Sequence, residues 1–222
     1  MFLWADLGEL VRRPFSALRL IDGRRGLAHG LIALGLSVSL PAAVSELAAL
    51  GPFRPPANLG TLPSLTAQGA DIYARWVYQQ RFVLPVYGIA VSVLLWLGAA
   101  GLIHVIARAL GGHGDVRGML KLVGYAALVG LVALPVALAD ALLKVQGNAR
   151  AELYVGQLAG LASLTVFLWQ NVLLVLATRD HYGISTERAI AAVIGPIGAV
   201  VVLVLALIIL AIVLAIIGQQ PA

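Results

Sequence analysis

Long apolar stretches alternate with short polar connections along most of the chain. A helix needs about 20 mostly apolar residues to cross the hydrocarbon core of a bilayer, and five stretches meet this requirement. They cover residues 27–50, 82–107, 119–143, 153–177 and 189–217. The pattern therefore predicts an all-α, polytopic membrane protein whose five transmembrane helices form one domain over residues 27–218.

The first 26 residues follow a different pattern. Between residues 3 and 21, apolar side chains recur at helical spacing on one side, and most charged side chains fall on the other. This predicts an N-terminal amphipathic helix that lies in the interfacial layer of the membrane or packs on the protein's own surface, and the sequence leaves both open. Pro14 should kink or divide this helix, because a proline inside a helix removes a hydrogen bond.

Basic residues are unequally distributed between the two sides of the predicted bundle. Ten of the 15 Lys and Arg residues fall in the N-terminal segment and in the second-to-third and fourth-to-fifth connections. The other five fall on the opposite side. Because cytoplasmic connections carry the excess of Lys and Arg, we expect a multi-pass protein of the cell (inner) membrane, with a cytoplasmic N-terminus and an external C-terminus.

The composition agrees with this picture. Hydrophobic residues make up 61% of the chain and charged residues 11%, with a mean hydropathy of +0.97. Soluble domains have about 25% charged residues, and so few charges could not cover a protein surface in water. Soluble enzymes and free nucleic-acid binders are excluded, and the net charge of +5 is attributed to the span ends. The chain has no cysteine, which excludes disulfides and thiolate sites.

The basic side chains on the expected cytoplasmic face are candidate contacts for a partner or for anionic lipid. The partners that we expect are the lipid bilayer and either other integral membrane proteins or a second copy of the chain. No nucleic acid and no cofactor or metal is expected. The candidate contacts are Arg12, Arg13, Arg24, Arg25, Arg108, Arg117, Arg179 and Arg188.

Polar side chains in or near the predicted spans are candidates for a transport site, since such groups are often functional at membrane depth. The candidates are His104, Lys121, Gln170 and Asn171. A structural alternative is that the groups near span ends reach the interface, and that Gln170 and Asn171 form hydrogen bonds between helices. Asp140 and Lys144 are four residues apart, which predicts a local ion pair.

The connection after the second span contains the string Gly112-His113-Gly114-Asp115. It has the form of the Gly-X-Gly-Asp pattern of intramembrane aspartyl proteases. Their chemistry needs a second carboxylate close enough to share one proton, and no aspartate of the adjoining spans lies at matching depth. A tight turn, in which glycine supplies a positive φ, is the favoured interpretation. No catalytic residue is assigned, and we expect no enzyme activity.

Short motifs follow one another in a characteristic order through this part of the chain. They are Ile103-His-Val-Ile-Ala-Arg108, Gly111-Gly112, Tyr125 and Pro135 in the third span, Trp169 in the fourth, and His181-Tyr-Gly-Ile-Ser185. In this order they resemble the bacterial and archaeal branch of the Yip domain family, over residues 14–214. The resemblance implies five spans, a cytoplasmic N-terminus, no catalysis, and a structural signature at Arg108, Gly111, Gly112, Tyr125, Pro135 and Trp169.

Eukaryotic members of that family are named for interacting with Rab-type GTPases through a long cytoplasmic N-terminal region, and this activity is not carried over. We expect a non-enzymatic membrane scaffold or accessory protein that binds membrane partners or organises lipid. The alternative is a small transporter or permease subunit with a polar intramembrane site. In a transporter the polar candidates should converge on one hollow, whereas in a scaffold they should point into packed helix seams.

Overall fold

The computed structural model describes residues 2–53, 64–196 and 198, and all regular elements within them are helical. The helices are α1 (Phe2–Arg12), α2 (Pro14–Arg24), α3 (Leu27–Ala48), α4 (Ser64–Gln79), α5 (Leu84–Ala109), α6 (Val116–Leu128), α7 (Leu134–Gln146), α8 (Ala149–Tyr182) and α9 (186–196). A short 3₁₀ segment, Val129–Ala133, joins α6 to α7.

Four helical stretches of the described residues are long and apolar enough to cross a membrane. They are Leu27–Ala48, Leu84–Ala109, Val116–Gln146 and Arg150–Tyr182, and they match the first four predicted spans to within about five residues at each end. The fifth predicted span, 189–217, begins in α9 but lies mostly outside the described residues, so it stays a prediction. The protein is a multi-pass membrane protein.

The N-terminal segment forms two helices that pack on the bundle. As predicted, Pro14 divides the segment: α1 ends at Arg12, and α2 begins at the proline, which is well tolerated in the first turn of a helix. Leu10 and Leu18 are buried in the same core as residues of α6 and α8. Packing on the protein therefore covers part of the apolar side of these helices, whereas Trp4, Val11, Phe15 and Leu20 are exposed, and the interfacial placement stays a prediction.

Helix α6 lies at the centre of the bundle and is crossed closely by α3. A Cβ atom added to Gly124 would overlap the backbone carbonyl of Gly30, and one added to Gly30 would lie 2.5 Å from the Cα atom of Lys121. Small residues permit such an approach of two helix backbones. Because α2 ends immediately before α3 begins, this crossing also brings the end of α2 beside Lys121.

The third span changes its helical geometry at Pro135. The 3₁₀ segment Val129–Ala133 precedes α7, and the proline occupies the first turn of that helix. Proline has no backbone N–H and cannot continue the α-helical hydrogen bonding of α6. The span is therefore made of two short α-helices joined by a 3₁₀ segment. The first of them, α6, packs against α3 and α2.

Candidate functional site

The most distinctive polar region lies at one end of the bundle, which we call the N-terminal face. It is formed by α1, α2, the α5–α6 connection (110–115) and the α8–α9 connection (183–185). The α5–α6 connection is the tight turn predicted from its glycines: Gly111 has φ +92°. At Gly112, a Cβ atom would lie 2.8 Å from both the carbonyl of Ala107 and the Cβ of Tyr182. The turn is therefore packed against the end of α8.

Four ionisable side chains from separate parts of the chain form a continuous network at this face, which we call the Asp22 network. Lys121 Nζ lies 2.7 Å from Asp22 Oδ1 and also donates to the backbone carbonyl of Asp22. Asp22 Oδ2 lies 2.9 Å from His181 Nδ1, and His181 Nε2 lies 3.3 Å from Asp115 Oδ1. The network connects α2 with α6, α8 and the α5–α6 turn.

Both ring nitrogens of His181 contact neighbouring groups. Nδ1 lies 2.9 Å from Asp22 Oδ2, and Nε2 lies 2.9 Å from the backbone carbonyl oxygen of Asp115 and 3.2 Å from its backbone nitrogen. The Asp115 carboxylate also accepts from the Gly118 N–H at 3.1 Å, which caps the start of α6. His181 therefore connects α2 with the N-terminus of α6.

The Asp22 carboxylate lies at the centre of the network, because it contacts both Lys121 and His181. Its burial alone would raise its pKa, but hydrogen bonds from Lys121 and His181 outweigh burial, so the pKa of Asp22 is lowered from its ordinary value of 3.8. Asp22 is therefore ionised near neutral pH. Its charge compensates the ammonium group of Lys121, whose side chain is only 9% exposed.

A second cluster fixes α1 to the bundle. The hydroxyl of Tyr125 in α6 donates to Asp6 Oδ2 at 3.0 Å, and Arg25 donates to Asp6 Oδ1 at 2.9 Å. Tyr125 is fully buried, and a buried hydroxyl needs such a partner. Both N-terminal helices are therefore held by charged or polar contacts as well as by apolar packing.

The Gly-X-Gly-Asp string lies in this region but does not form an aspartyl dyad. The carboxylate nearest to Asp115 through the network is Asp22, and the imidazole of His181 lies between them. Two carboxylates that share one proton must be in direct contact. In this structure Asp115 caps a helix and positions an imidazole.

The eight arginines predicted as partner or lipid contacts divide into two groups. Four are bound within the fold: Arg25 to Asp6, Arg108 to the Gly112 carbonyl at 3.2 Å, Arg179 to Asp180 at 2.7 Å, and Arg188 to the Leu110 carbonyl at 3.0 Å. The other four are exposed, and their side chains form no hydrogen bond within the described ranges: Arg12, Arg13, Arg24 and Arg117. The four exposed guanidinium groups are therefore fully available for external contacts.

The four polar candidates of the spans do not converge on one site. His104 Nδ1 lies 2.7 Å from the Tyr182 hydroxyl, and Lys121 belongs to the Asp22 network. Gln170 donates to the Ala127 carbonyl at 3.1 Å, which is the predicted hydrogen bond between helices. Asn171 differs from the prediction: it donates to the Phe167 carbonyl of its own helix at 2.8 Å.

Gln170 and Asn171 do share one feature, a cleft of about 290 Å³ between α5 and α8. Its other lining residues are mostly apolar and include Trp96. Neither His104 nor Lys121 lines it. Gln170 and Asn171 therefore line one cleft, whereas His104 and Lys121 form their contacts elsewhere.

The predicted signature residues lie mainly at the N-terminal face. Gly111 and Gly112 lie in the α5–α6 turn, and Arg108 in the last turn of α5 donates to the Gly112 carbonyl. Tyr125 contacts Asp6. Pro135 marks the start of α7, and Trp169 is partly buried against the core.

Sequence reasoning missed Asp6, Asp22 and His181 as site residues. Lys121 supplied a signal for Asp22, since a lysine in an apolar stretch needs a counter-charge. The chain has only ten Asp and Glu residues, and Asp22 is the acidic residue immediately before the first span.

Comparison with known protein families matches residues 8–209 to the Yip1 domain. Comparisons with curated proteins and with solved structures give no match. The matched range extends from α1 through the spans and the α5–α6 turn, and it includes the part of the fifth predicted span up to residue 209. The chain belongs to the Yip1 domain family.

Proposed function

We propose that this protein is a non-enzymatic scaffold or accessory protein that binds other membrane proteins or organises lipid at its N-terminal face. The observation that carries this proposal is the separation of the four polar candidates of the spans. His104 and Lys121 bond to Tyr182 and Asp22, and Gln170 bonds across a helix seam. Polar groups used in this way stabilise contacts between helices rather than line a pathway.

The N-terminal face is the surface that we assign to the partner. Arg12, Arg13, Arg24 and Arg117 are exposed there, while the Asp22 network holds α2 in place beneath them. The excess of basic residues on this side supports a cytoplasmic position of the face in the cell membrane. Because α1 and α2 are already packed on the bundle, a partner would meet a surface whose ordering cost is small.

The test is a pull-down of the tagged, full-length protein from its own membranes in mild detergent, with mass spectrometry of what copurifies. We expect a membrane protein in stoichiometric amount, and we expect the Arg12→Gln/Arg13→Gln double variant to reduce its recovery several-fold. The matched control is Arg75→Gln/Arg150→Gln, which removes two exposed arginines elsewhere on the chain. Recovery of the wild-type protein alone would contradict the binding of another membrane protein, and equal losses in both double variants would contradict the assignment of that binding to the N-terminal face.

The alternative function is a small transporter or permease subunit. The observation that favours it is the cleft between α5 and α8, where Gln170 and Asn171 face a common space. In purified proteoliposomes, a proton or ion flux that Gln170→Leu abolishes would favour this alternative over the scaffold. If the flux is the same in the wild-type protein and in Gln170→Leu, the cleft is only a packing interface between α5 and α8.

A further inference from the structure

An open groove of about 660 Å³ lies on the N-terminal face between α2, α6 and α8. Leu18, Leu122 and Ala177 line its walls but are almost fully buried, so they offer little surface of their own. Arg19 and Arg179 contribute guanidinium groups to its polar lining. The groove therefore has a cationic rim, and its volume is in the range of small-molecule sites.

Arg19 and Arg179 are the groove cations whose guanidinium groups keep N–H donors without an acceptor in the described part of the chain. Lys121 and His181 are already engaged by Asp22 and Asp115. Arg19 uses Nε for Asp180 at 2.9 Å, and its side chain is 69% exposed. Arg179 uses Nε and Nη2 for the same carboxylate. In the described part of the chain, both terminal nitrogens of Arg19 and Nη1 of Arg179 have no acceptor.

The charge of the rim favours an anion. Arg19 and Arg179 share the single carboxylate of Asp180, so this group carries a net positive charge, whereas Lys121 and Asp22 compensate each other. Arg179 also lies with its guanidinium carbon 6.0 Å from the centre of the Phe15 ring, which restricts its orientation. Two guanidinium groups with unused N–H donors are well matched to the oxygens of a phosphate group.

We propose that this groove binds the head group of one anionic phospholipid, with its phosphate on Arg19 and Arg179. The inference deepens the proposed function and rests on it, since it assigns lipid binding to the same face. The position of the groove supports a lipid rather than a soluble phosphate, because α2 ends at Arg24, directly before the first span. The rim is thereby placed at the level of the head groups of the bilayer.

The test is native mass spectrometry of the full-length protein in mixed micelles that contain equal amounts of phosphatidylglycerol and phosphatidylcholine. We expect the wild-type protein to retain one phosphatidylglycerol molecule with about tenfold preference, because the net positive rim repels the choline cation of phosphatidylcholine. Arg19→Gln/Arg179→Gln should abolish the preference. Arg19→Gln alone, which changes a largely exposed side chain and leaves the fold in place, should reduce it.

Two matched variants separate a groove from diffuse surface charge and from local misfolding. Arg12→Gln/Arg13→Gln removes two exposed arginines that do not line the groove and should keep the preference. Asp180→Asn removes the carboxylate that competes for both guanidinium groups, and should keep or increase it.

The proposal is overturned if the wild-type protein has no preference, if Arg12→Gln/Arg13→Gln lowers it as much as the groove variants, or if Asp180→Asn abolishes it. A failure of the proposed function is seen elsewhere, in the pull-down, because lipid retention is measured on the purified protein without any partner.

Discussion

Ion pairs at the N-terminal face and ion pairs elsewhere in the molecule differ in the parts of the chain that they join. Asp22 contacts Lys121 and His181, which are 99 and 159 residues away in the sequence. Asp71–Arg75 and Asp140–Lys144 are pairs four residues apart on one helix. The first kind of contact fixes separate helices to each other, and the second supports a single helical turn.

The Asp22–Lys121 and Asp71–Arg75 pairs also differ in exposure. The Lys121 side chain is 9% exposed, whereas that of Arg75 is 64% exposed. Removing one partner of a buried pair costs about 3–5 kcal/mol, because the other charge stays buried. An exposed pair on one helix contributes about 0.3–0.5 kcal/mol. The comparison therefore indicates that the Asp22 network helps to determine tertiary structure, while the exposed local pair Asp71–Arg75 contributes little.

The largest effect is expected for Asp22→Asn. This change removes the counter-charge of Lys121 and should lower the free energy of unfolding by about 3 kcal/mol, measured by thermal unfolding in detergent. The double variant Asp22→Asn/Lys121→Met should recover part of the loss, because no unpaired charge is then buried. A double variant that is less stable than Asp22→Asn would contradict the assignment of the loss to the lysine charge.

Acidification should weaken the same contact through a different change. Because the pKa of Asp22 is lowered in the folded protein, its ionised form stabilises the fold fully above the ordinary value of 3.8. This contribution is lost as the pH falls through the lower folded value. Unfolding measured from neutral pH down past 3.8 should show the loss in the wild-type protein. The dependence should be smaller in Asp22→Asn, and an identical dependence in both proteins would exclude Asp22 as its source.

An intermediate effect is expected for Tyr125→Phe. This variant removes the hydrogen bond from the buried hydroxyl to Asp6, while Arg25 still binds that carboxylate. We expect a loss of about 1 kcal/mol in the free energy of unfolding. A loss as large as that of Asp22→Asn would mean that the α1 contact is as important as the Asp22 network.

The smallest effect is expected for Asp71→Asn, the same chemical change as Asp22→Asn at an exposed local pair. Its cost should be about 0.3–0.5 kcal/mol, and it should decrease further in high salt. A cost comparable to that of Asp22→Asn would remove the distinction between the two kinds of pair.

Features that depend on neighbouring residues could be predicted from the sequence. The apolar runs predicted four spans close to their observed ends, Pro14 predicted a division between α1 and α2, and the spacing of Asp140 and Lys144 predicted their ion pair at 2.6 Å. In each case the cause lies within a few residues, in helix length, in a missing N–H or in one helical turn.

Features that depend on which helices meet could not be predicted. The crossing at Gly30 and Gly124 sets the position of α3 on α6, and only that crossing places Asp22 beside Lys121. His181 joins the network because α8 ends at the same level. One sequence alone does not show which of these distant residues are in contact.

The Asp22 network is expected to hold α2 on the bundle as part of a preformed face. Hydrogen–deuterium exchange of the full-length protein in lipid nanodiscs tests this directly, with Asp22→Asn and Asp71→Asn as a matched pair. We expect slow exchange of α2 in the wild-type protein and in Asp71→Asn, and fast exchange of α2 in Asp22→Asn. Fast exchange of α2 in the wild-type protein, or unchanged exchange in Asp22→Asn, would contradict this role of the network.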